Sequence, residues 1–392
     1  MAVKDNVAVD GLAMTCGSAE LRFDPGTDAV LVERLLDEGA AIVGKTNQDA
    51  FAFGPSGEFS DFDAVTNPVD ADRVPGGSSS GSGAAVAAGT VDIALGSDTG
   101  GSVRIPAACC GVVGAKPTHG LVPRHGFVGF APSLDTVGPL ARSVEDATAA
   151  LAAMAGPDRR DPTASERRLA PVDDDVAGNG TLTVGLPAPF FDRSDDAVAD
   201  AVRAAVDGAA NVRTAPITLE MGAVEQAYFL VGATEFVWYL DQSGTVRGQG
   251  TDYTGAIHNA LAAVTDSDLG SHVARRLLPA ALLDERTDGR AYLAARREAL
   301  RFVDRVEEAF RSVDALVMPT IRTLPPRHDR MDTTADMLTL LGNTAPFNLA
   351  RTPAVSVPVD TVDGLPVSAQ VVTPRFEDLR ALAVADRLSS PR

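Results

Sequence analysis

Small hydroxyl and glycine residues are concentrated in one stretch of the chain, Pro75–Pro106. They form two clusters, Gly76–Gly83 and Ser97–Ser102, which are separated by an apolar run. Serine hydroxyls can act as nucleophiles or carry protons, and glycines allow the backbone to approach a ligand closely. Because Ala84–Leu95 has the pattern of a helix followed by a strand, we interpret the stretch as two ligand-facing loops rather than a flexible linker.

Lys4 is a candidate base for such a serine. The chain has 34 lysines and arginines, of which only Lys4, Lys45 and Lys116 are lysines. A buried lysine can lose its proton near neutral pH, whereas an arginine stays charged. The apolar neighbours of Lys4 fit a buried base, although the spacing alone fits an exposed surface lysine equally well.

The second cluster, Ser97–Ser102, lies between a predicted strand, Val91–Leu95, and a predicted helix, Val103–Cys110. Its Gly-Gly-Ser turn leads into the helix and directs several backbone N–H groups at one point. Such donors stabilise the negative charge that develops on oxygen during acyl transfer.

Predicted strands and helices alternate along the chain, which is typical of an α/β protein with layers of helices and sheet. Thr27–Glu38 is predicted to be a helix and Ala40–Val43 a short buried strand. Residues 158–180 are acidic, contain proline and glycine and lack periodicity, so we expect a surface loop there. Five clustered aromatic residues are interpreted as core, with the wall of a substrate pocket as the alternative: Tyr228, Phe229, Phe236, Trp238 and Tyr239.

Two short motifs lack the context that their usual functions require. Gly39–Thr46 matches the phosphate-binding pattern GxxxxGK[ST], but a predicted helix precedes it and its supposed loop is apolar. Gly77–Gly81 matches the nucleophile pattern GxSxG, but a loop rich in proline and aspartate precedes it instead of a strand. We therefore expect neither nucleotide binding nor an α/β-hydrolase triad.

The composition indicates a globular protein without a disulfide framework. Of the 392 residues 45% are hydrophobic, and no apolar run approaches the ~20 residues of a membrane-spanning helix. The three cysteines, Cys16, Cys109 and Cys110, lack metal-ligand spacing, and the start of the chain has no signal-peptide core. We expect a reduced, cytoplasmic protein that uses no metal or other cofactor.

The net charge of −19 would repel nucleic acid and anionic membranes. The 53 acidic residues and the scarcity of lysine resemble cytosolic proteins of organisms that accumulate molar salt. Because the screening length falls to about 3 Å near 1 M salt, we hypothesise that the fold requires salt. An unfolding midpoint that did not change between low and molar KCl would contradict this hypothesis.

Three segments taken together resemble the amidase signature family, whose members are serine hydrolases with a Ser–Ser–Lys triad: Val3–Asn6, Gly76–Gly83 and Ser97–Gly120. The resemblance weakens after about Gly156 and returns in Phe347–Pro358. It implies an α/β fold in which helices cover a mixed, twisted sheet.

The resemblance also implies a single large domain, residues 1–392. Within it we distinguish a signature core (1–156), the surface loop (158–180) and a part that completes the sheet and the substrate pocket (181–392). The family has a cis peptide before its bridging serine, which corresponds here to Gly77–Ser78.

Individual residues acquire roles from the same resemblance. Ser102 corresponds to the nucleophile and Lys4 to the terminal base. The family separates its two catalytic serines by the 24 positions found here between Ser78 and Ser102, which selects Ser78 as the bridging serine. The remaining correspondences are the backbone N–H groups of the oxyanion hole, Thr99, Gly100, Gly101 and Ser102, and two residues that brace this loop, Asp98 and Arg104.

On this basis we expect the hydrolysis of a carboxylic amide to an acid and ammonia or an amine, through an acyl-enzyme on Ser102. The expected partner is a small-molecule amide, and a homodimer is compatible with the sequence. Family members have a further helical segment before the catalytic lysine, whereas Lys4 is the fourth residue here. Either the natural start lies upstream or the protein functions without that segment.

One branch of the family, the A subunit of the tRNA-dependent amidotransferase, obtains ammonia from glutamine. That branch places an acidic residue shortly before the late Asn-Leu-Ala segment to hold the α-amine, but Leu341 occupies this position here, with Asp336 and Asp332 further away. Either Arg275 or Arg276 could be the arginine partner.

We therefore prefer a free-standing amidase, with a glutamine-hydrolysing subunit bound to amidotransferase partners as the alternative. A truncated, inactive scaffold of the same fold is the third hypothesis. The intact Lys4, Ser78 and Ser102 argue against that scaffold, because an inactive relative has no need to keep them.

Overall fold

A mixed β-sheet of ten strands runs through the computed structural model. The model describes residues 1–172, 180–243, 245–246, 249–250, 255–264, 269–328 and 333–389. The strands of this sheet are β1 (Ala2–Lys4), β2 (Gly44–Thr46), β3 (Ile93–Asp98), β4 (Val113–Lys116), β5 (Thr136–Ala141), β6 (Leu182–Gly185), β7 (Val212–Ala215), β10 (Ala315–Pro319), β11 (Ala354–Val362) and β12 (Leu365–Val372). Their spatial order is β2-β1-β3-β5-β4-β11-β12-β10-β6-β7, and β8 (Thr245–Val246) pairs separately with β9 (Gln249–Gly250).

Thirteen α-helices lie within the described ranges. They are α1 (Val30–Asp37), α2 (Ser80–Ala87), α3 (Arg104–Cys110), α4 (Val144–Met154), α5 (Ala188–Phe191), α6 (Asp196–Gly208), α7 (Val224–Asp241), α8 (Ala256–Ala262), α9 (Gly270–Thr287), α10 (Arg290–Ala309), α11 (Thr334–Leu341), α12 (Pro346–Leu349) and α13 (Asp378–Leu388). The alternation of helices and strands therefore produces the α/β fold with one mixed sheet that the sequence predicts.

The helices follow from local sequence signals. In α6, Val198, Val202 and Val206 recur every fourth residue and are buried, so that one face of the helix packs against the sheet. Ser143 directly precedes helix α4, and its hydroxyl accepts the N–H of Asp146 and caps the first turn.

The N-terminal strand β1 lies between β2 and β3 and runs parallel to both. Val3 pairs with Lys45 on one side and with Leu95 on the other, and its side chain is fully buried. A strand with two neighbours is fixed by hydrogen bonds along both edges, and this fixes the backbone of Lys4.

The strand predicted at Ala40–Val43 is wrong in position. The observed strand is β2, which begins at Gly44 because that residue is the partner of Ala2 in β1. Val43 is 67% exposed, so the apolar run that suggested a buried strand is not buried along its length. The helix predicted at Thr27–Glu38 is present as the shorter α1.

The predicted surface loop contains no helix or strand in its described residues, 158–172 and 180, while residues 173–179 lie outside the described part. Asp161 within it is buried and accepts the backbone N–H of Arg124, so this part of the loop is docked on the signature core. Among the described helices, none combines the length and the apolarity needed to cross a bilayer.

Candidate active site

Lys4 at the end of β1 is fully buried and is held by two serine hydroxyls. Its Nζ lies 2.7 Å from Ser78 Oγ and 2.8 Å from Ser97 Oγ. Asn6 Nδ2 donates to the same Ser97 hydroxyl at 3.1 Å, so two residues of the N-terminal segment converge on Ser97. These contacts direct the lysine amine at Ser78.

Burial lowers the pKa of Lys4 from 10.5 to about 7, because the ammonium loses its hydration. The negative charges of Asp49 and Asp98 act in the opposite direction but only partly compensate. Near neutral pH a substantial fraction of the amine is therefore unprotonated and able to accept a proton from a serine.

Ser78 is also fully buried and follows a cis peptide, Gly77–Ser78, as the resemblance predicts. The next residue, Ser79, donates its backbone N–H to the carbonyl of Ser102 at 3.3 Å, which joins the two glycine-rich clusters. The hydroxyl of Ser79 instead bonds the backbone of Ser97 in β3. Of the two adjacent serines, Ser78 is therefore the one that contacts Lys4.

Hydrogen bonds to the backbone carbonyls hold the peptide groups of the turn that ends in Ser102. Thr344 Oγ1 donates to Gly100 O at 2.6 Å, and Ile105 N donates to Gly101 O at 2.6 Å. Gly101 has a φ of 139°, which L-amino acids with a side chain rarely adopt. At Gly100 a Cβ would lie 1.9 Å from the hydroxyl oxygen of Tyr228, so both glycines are required by this turn.

Asp98 and Arg104 form a buried ion pair directly beside the turn. The guanidinium Nη2 lies 2.9 Å from Asp98 Oδ1, and both side chains have no exposure. Burial alone would raise the pKa of Asp98, but Arg104 outweighs it and brings this pKa down to about 2. Asp98 Oδ2 also accepts the N–H of Val103, while Arg104 and Asp98 both bond the amide of Asn348. This network braces the turn, as the resemblance implies.

Thr99 is fixed by a carboxylate that the sequence did not suggest. Its Oγ1 donates to Asp135 Oδ1 at 2.6 Å, and Asp135 Oδ2 accepts the backbone N–H groups of Phe130 and Ala131. Burial raises the pKa of Asp135 to about 6, so this carboxyl is ionised at neutral pH.

A cavity of about 520 Å³ opens onto Ser102 and Thr99. We call its far side the cavity wall, and define it as Tyr228 and Phe229 of α7, Arg275, Arg276 and Leu283 of α9, and Leu341 of α11. The described lining residues include these two arginines but no aspartate or glutamate. Of the five aromatic residues interpreted as core, Tyr228, Phe236 and Tyr239 are buried, and Tyr228 and Phe229 line the cavity.

Comparison with known proteins decides the family. The sequence profile of the family described as Amidase matches residues 1–382. The chain belongs to the Amidase family. Its members are amide-hydrolysing enzymes, and the resemblance found in the sequence is thereby confirmed.

The Amidase-family chain is similar to proteins with different names. It is 42% identical to the A subunit of glutamyl-tRNA(Gln) amidotransferase from Halobacterium salinarum over 390 residues, 96% of this chain and 91% of that relative. The crystal structure of the corresponding A subunit of glutamyl-tRNA(Gln) amidotransferase from Thermotoga maritima superposes with a TM-score of 0.83 at 32% identity and covers 98% of this chain and 81% of that one. A peptide amidase bound to the competitive inhibitor chymostatin superposes with a TM-score of 0.74 at 29% identity, over 99% and 82% of the two chains.

In this Amidase-family structure the predicted residues Lys4, Ser78 and Ser102 lie in one region, as do the turn Thr99–Ser102 and its ion pair. Sequence reasoning missed the support given by Ser97, Asn6 and Asp135. Asn6 lies in the turn that follows β1, two positions after Lys4, and no local pattern marks it as a partner of Ser97. In the described part of the chain, no group of three His, Cys, Asp or Glu side chains is arranged to hold a metal ion.

Proposed function

We propose that this protein hydrolyses a carboxylic amide with Ser102 as nucleophile, Ser78 as proton carrier and Lys4 as base. The observation that carries the proposal is the contact of 2.7 Å between the buried, weakly basic Lys4 amine and Ser78, whose segment is bonded to Ser102. A free serine is a weak nucleophile near neutral pH and requires such a base.

The reaction proceeds in two acyl transfers. Ser102 Oγ attacks the amide carbonyl carbon while its proton passes through Ser78 to the neutral Lys4. The oxyanion receives N–H donors from the turn Thr99–Ser102. The C–N bond then breaks, the leaving nitrogen takes the proton back through Ser78, and an ester on Ser102 remains. Water attacks this ester with the same groups as base and acid, and releases the carboxylic acid.

We infer that the amide donor is glutamine and that the protein is the A subunit of an amidotransferase. The chain is 42% identical, over nearly its whole length, to the A subunit of the glutamyl-tRNA(Gln) amidotransferase. This similarity favours the glutamine-hydrolysing function over the free-standing amidase preferred from the sequence. On this inference the partners of the chain are the other amidotransferase subunits.

One observation favours a second candidate, a free-standing amidase. Leu341 lies on the cavity wall at the position where the glutamine-binding branch has an acid, and no aspartate or glutamate is among the described lining residues. Asp336 caps α11 through Thr333, and Asp332 lies outside the described residues. A substrate with a carboxylate and no ammonium would suit a cavity with Arg275 and Arg276 on its wall.

A fluorophosphonate probe tests the shared chemistry. Ser102 Oγ forms a bond to phosphorus, fluoride leaves, and the serine proton passes to Lys4, so only an activated serine is labelled. We expect rapid labelling of the wild type and none of Ser102→Ala. The neighbouring Ser79→Ala is the matched control and should be labelled. Undiminished labelling or amide hydrolysis by Ser102→Ala would overturn the proposal.

The donor is tested by comparing glutamine with 4-carbamoylbutanoate, which is glutamine without its α-amino group. Each is assayed with and without candidate amidotransferase subunits. Hydrolysis of glutamine that increases when the subunits are added supports the amidotransferase function. Faster hydrolysis of 4-carbamoylbutanoate, unaffected by the subunits, supports the free-standing amidase instead.

A further inference from the structure

Asp49 is a buried carboxylate whose two oxygens are both engaged by backbone. It precedes the short turn Ala50–Ala52 and has no exposure. Its Oδ2 accepts the N–H of Gly57 at 3.0 Å, and its Oδ1 accepts the N–H of Phe59 at 2.9 Å. The segment between residues 49 and 59 is thus closed into a loop by one side chain.

The loop is locked against the peptide that precedes the proposed proton carrier. Asp49 N donates to Ser78 O at 3.2 Å, and Gly77 N donates to Pro55 O at 2.7 Å. A Cβ on Gly77 would lie 2.0 Å from Asp49 Oδ2 and 2.7 Å from Gly57 N, so the two segments touch with no space for a side chain. The position of Ser78 therefore depends on the shape that Asp49 gives to this loop.

The same loop lines the cavity. Phe53, Gly54 and Pro55 face it beside Ser102. Phe51 and Ala52 have φ values of 52° and 58°, in the left-handed region that residues with a side chain rarely occupy. A loop in this conformation needs contacts that hold it, and the Asp49 carboxylate supplies two within the loop.

Asp49 also contributes charge to the surroundings of Lys4. The ionisable groups that act on Lys4 are Asp49, Asp98, Cys16 and Asp135, with Asp49 the strongest. Lys4 and Glu58 are the charged groups that act on Asp49 itself. Burial raises the pKa of Asp49 to about 6, so the carboxyl is mostly ionised at neutral pH.

We propose that Asp49 is a positioning residue, which fixes Ser78 through the loop 49–59. The proposal rests on the proposed function, because it acts through Ser78 and Lys4. It links the residues that line the cavity to the proton carrier through the loop that the Asp49 side chain closes.

The test is the pH dependence of fluorophosphonate labelling in Asp49→Asn. The variant loses the charge and one of the two acceptors. We expect the plateau rate to fall by about 10²-fold, because Ser78 is misplaced. The acidic limb of the labelling rate against pH should move to lower pH by about one unit. The reason is that removing a negative charge makes the Lys4 ammonium easier to deprotonate.

Asp378→Asn is the matched control. Asp378 is equally buried and accepts both the backbone N–H and the hydroxyl of Thr118 at 2.7 Å, but it is not among the groups that act on Lys4. Its replacement should lower the melting temperature and leave the acidic limb in place. Gly77→Ala places a methyl group against Asp49 and leaves the charge of Asp49 intact. This variant should lower the plateau rate of labelling. It tests the positioning role if Asp49→Asn does not fold.

The outcomes separate the two proposals. An unlabelled wild type would overturn the proposed function itself. A different result would overturn only the role of Asp49. In that case the wild type is labelled, but Asp49→Asn and Asp378→Asn have the same plateau rate and the same acidic limb of the labelling rate. A Gly77→Ala variant labelled at the wild-type rate would also contradict that role.

Discussion

Two regions of the molecule differ in the contacts that fix their side chains. One is the cavity wall, and the other is the Lys–Ser cluster, which we define as Lys4, Ser78, Ser97 and Ser102. Every side chain of the cluster is buried, and hydrogen bonds or the Asp98–Arg104 ion pair fix its surroundings. The wall consists of helix side chains, four of them aromatic or aliphatic and two of them arginines, and α9 also carries the outward-facing Leu278 and Leu282, which are 59% and 48% exposed. Hydrogen-bond geometry is directional, whereas apolar packing tolerates exchange of side chains.

This difference explains how one fold carries proteins with different names. The A subunit of a glutamyl-tRNA(Gln) amidotransferase superposes on this chain, and so does a peptide amidase. A rigid cluster can keep one chemistry while a wall of exchangeable side chains changes the amide that enters. Changes in the cluster should therefore alter rate or stability, and changes in the wall should alter substrate affinity.

The largest effect is expected from Lys4→Met, which removes the proposed base but keeps an apolar stem. We expect kcat to fall by about 10²–10⁴-fold, the usual contribution of a positioned base. In the wild type kcat/KM should rise with pH through an apparent pKa of about 7, because only the neutral amine accepts a proton. This limb should disappear in the variant.

Lys116→Met is the control for Lys4→Met. Lys116 is equally buried, and burial also lowers its pKa to about 7, but its amine donates to the backbone carbonyls of Pro117 and Thr352. Activity within about tenfold of the wild type is expected. An equal loss of activity in both variants would show that the effect of Lys4 is structural, and would remove the distinction between cluster and wall.

The next effect is expected from Asp98→Asn, which leaves Arg104 buried without its charge partner. Unfolding free energy should fall by about 3–5 kcal/mol, as measured by chemical denaturation. The folded-state pKa of about 2 lies below the usual value of about 4, so the stability from the charged form is present above about pH 4 and is lost as pH falls through about 2.

The surface pair Arg142–Asp92 provides the control for that prediction. Its atoms are 3.6 Å apart and its side chains are 49% and 75% exposed. Asp92→Asn should therefore cost less than about 1 kcal/mol. Equal losses from the two substitutions would contradict the claim that the cluster is held by its buried ion pair.

The smallest effect is expected from Arg276→Gln on the cavity wall. The KM of amides that carry a carboxylate should rise about tenfold, because one charge partner is removed, while kcat stays unchanged. Neutral amides should show no change. Arg286→Gln, on the exposed surface of the same helix, is the control. A fall in kcat for Arg276→Gln would show that Arg276 affects the rate, as the Lys–Ser cluster does, and not substrate affinity alone.

The sequence predicted the cluster better than the wall, for physical reasons. Glycine and serine in Gly76–Gly83 and Ser97–Ser102 are needed for backbone conformations and close contacts that few other residues allow, so their positions carry information. The support from Asp49 and Asp135 depends on which loop packs against which, and no local pattern encodes this. The wall was ambiguous because Tyr228 and Phe236 lie on one helix and have the same apolar character, yet only Tyr228 faces the cavity.

The placement of the lysines has a consequence for chemical modification. Lys4 and Lys116 are 0% and 1% exposed, and the side chain of Lys45 is only 12% exposed, so the outer surface presents arginine and carboxylate groups with almost no lysine amine. Reagents that acylate or cross-link amines need an accessible, unprotonated nitrogen. In the folded protein they should therefore react slowly at all three lysines. Attachment of dyes or supports is better directed to the carboxylates.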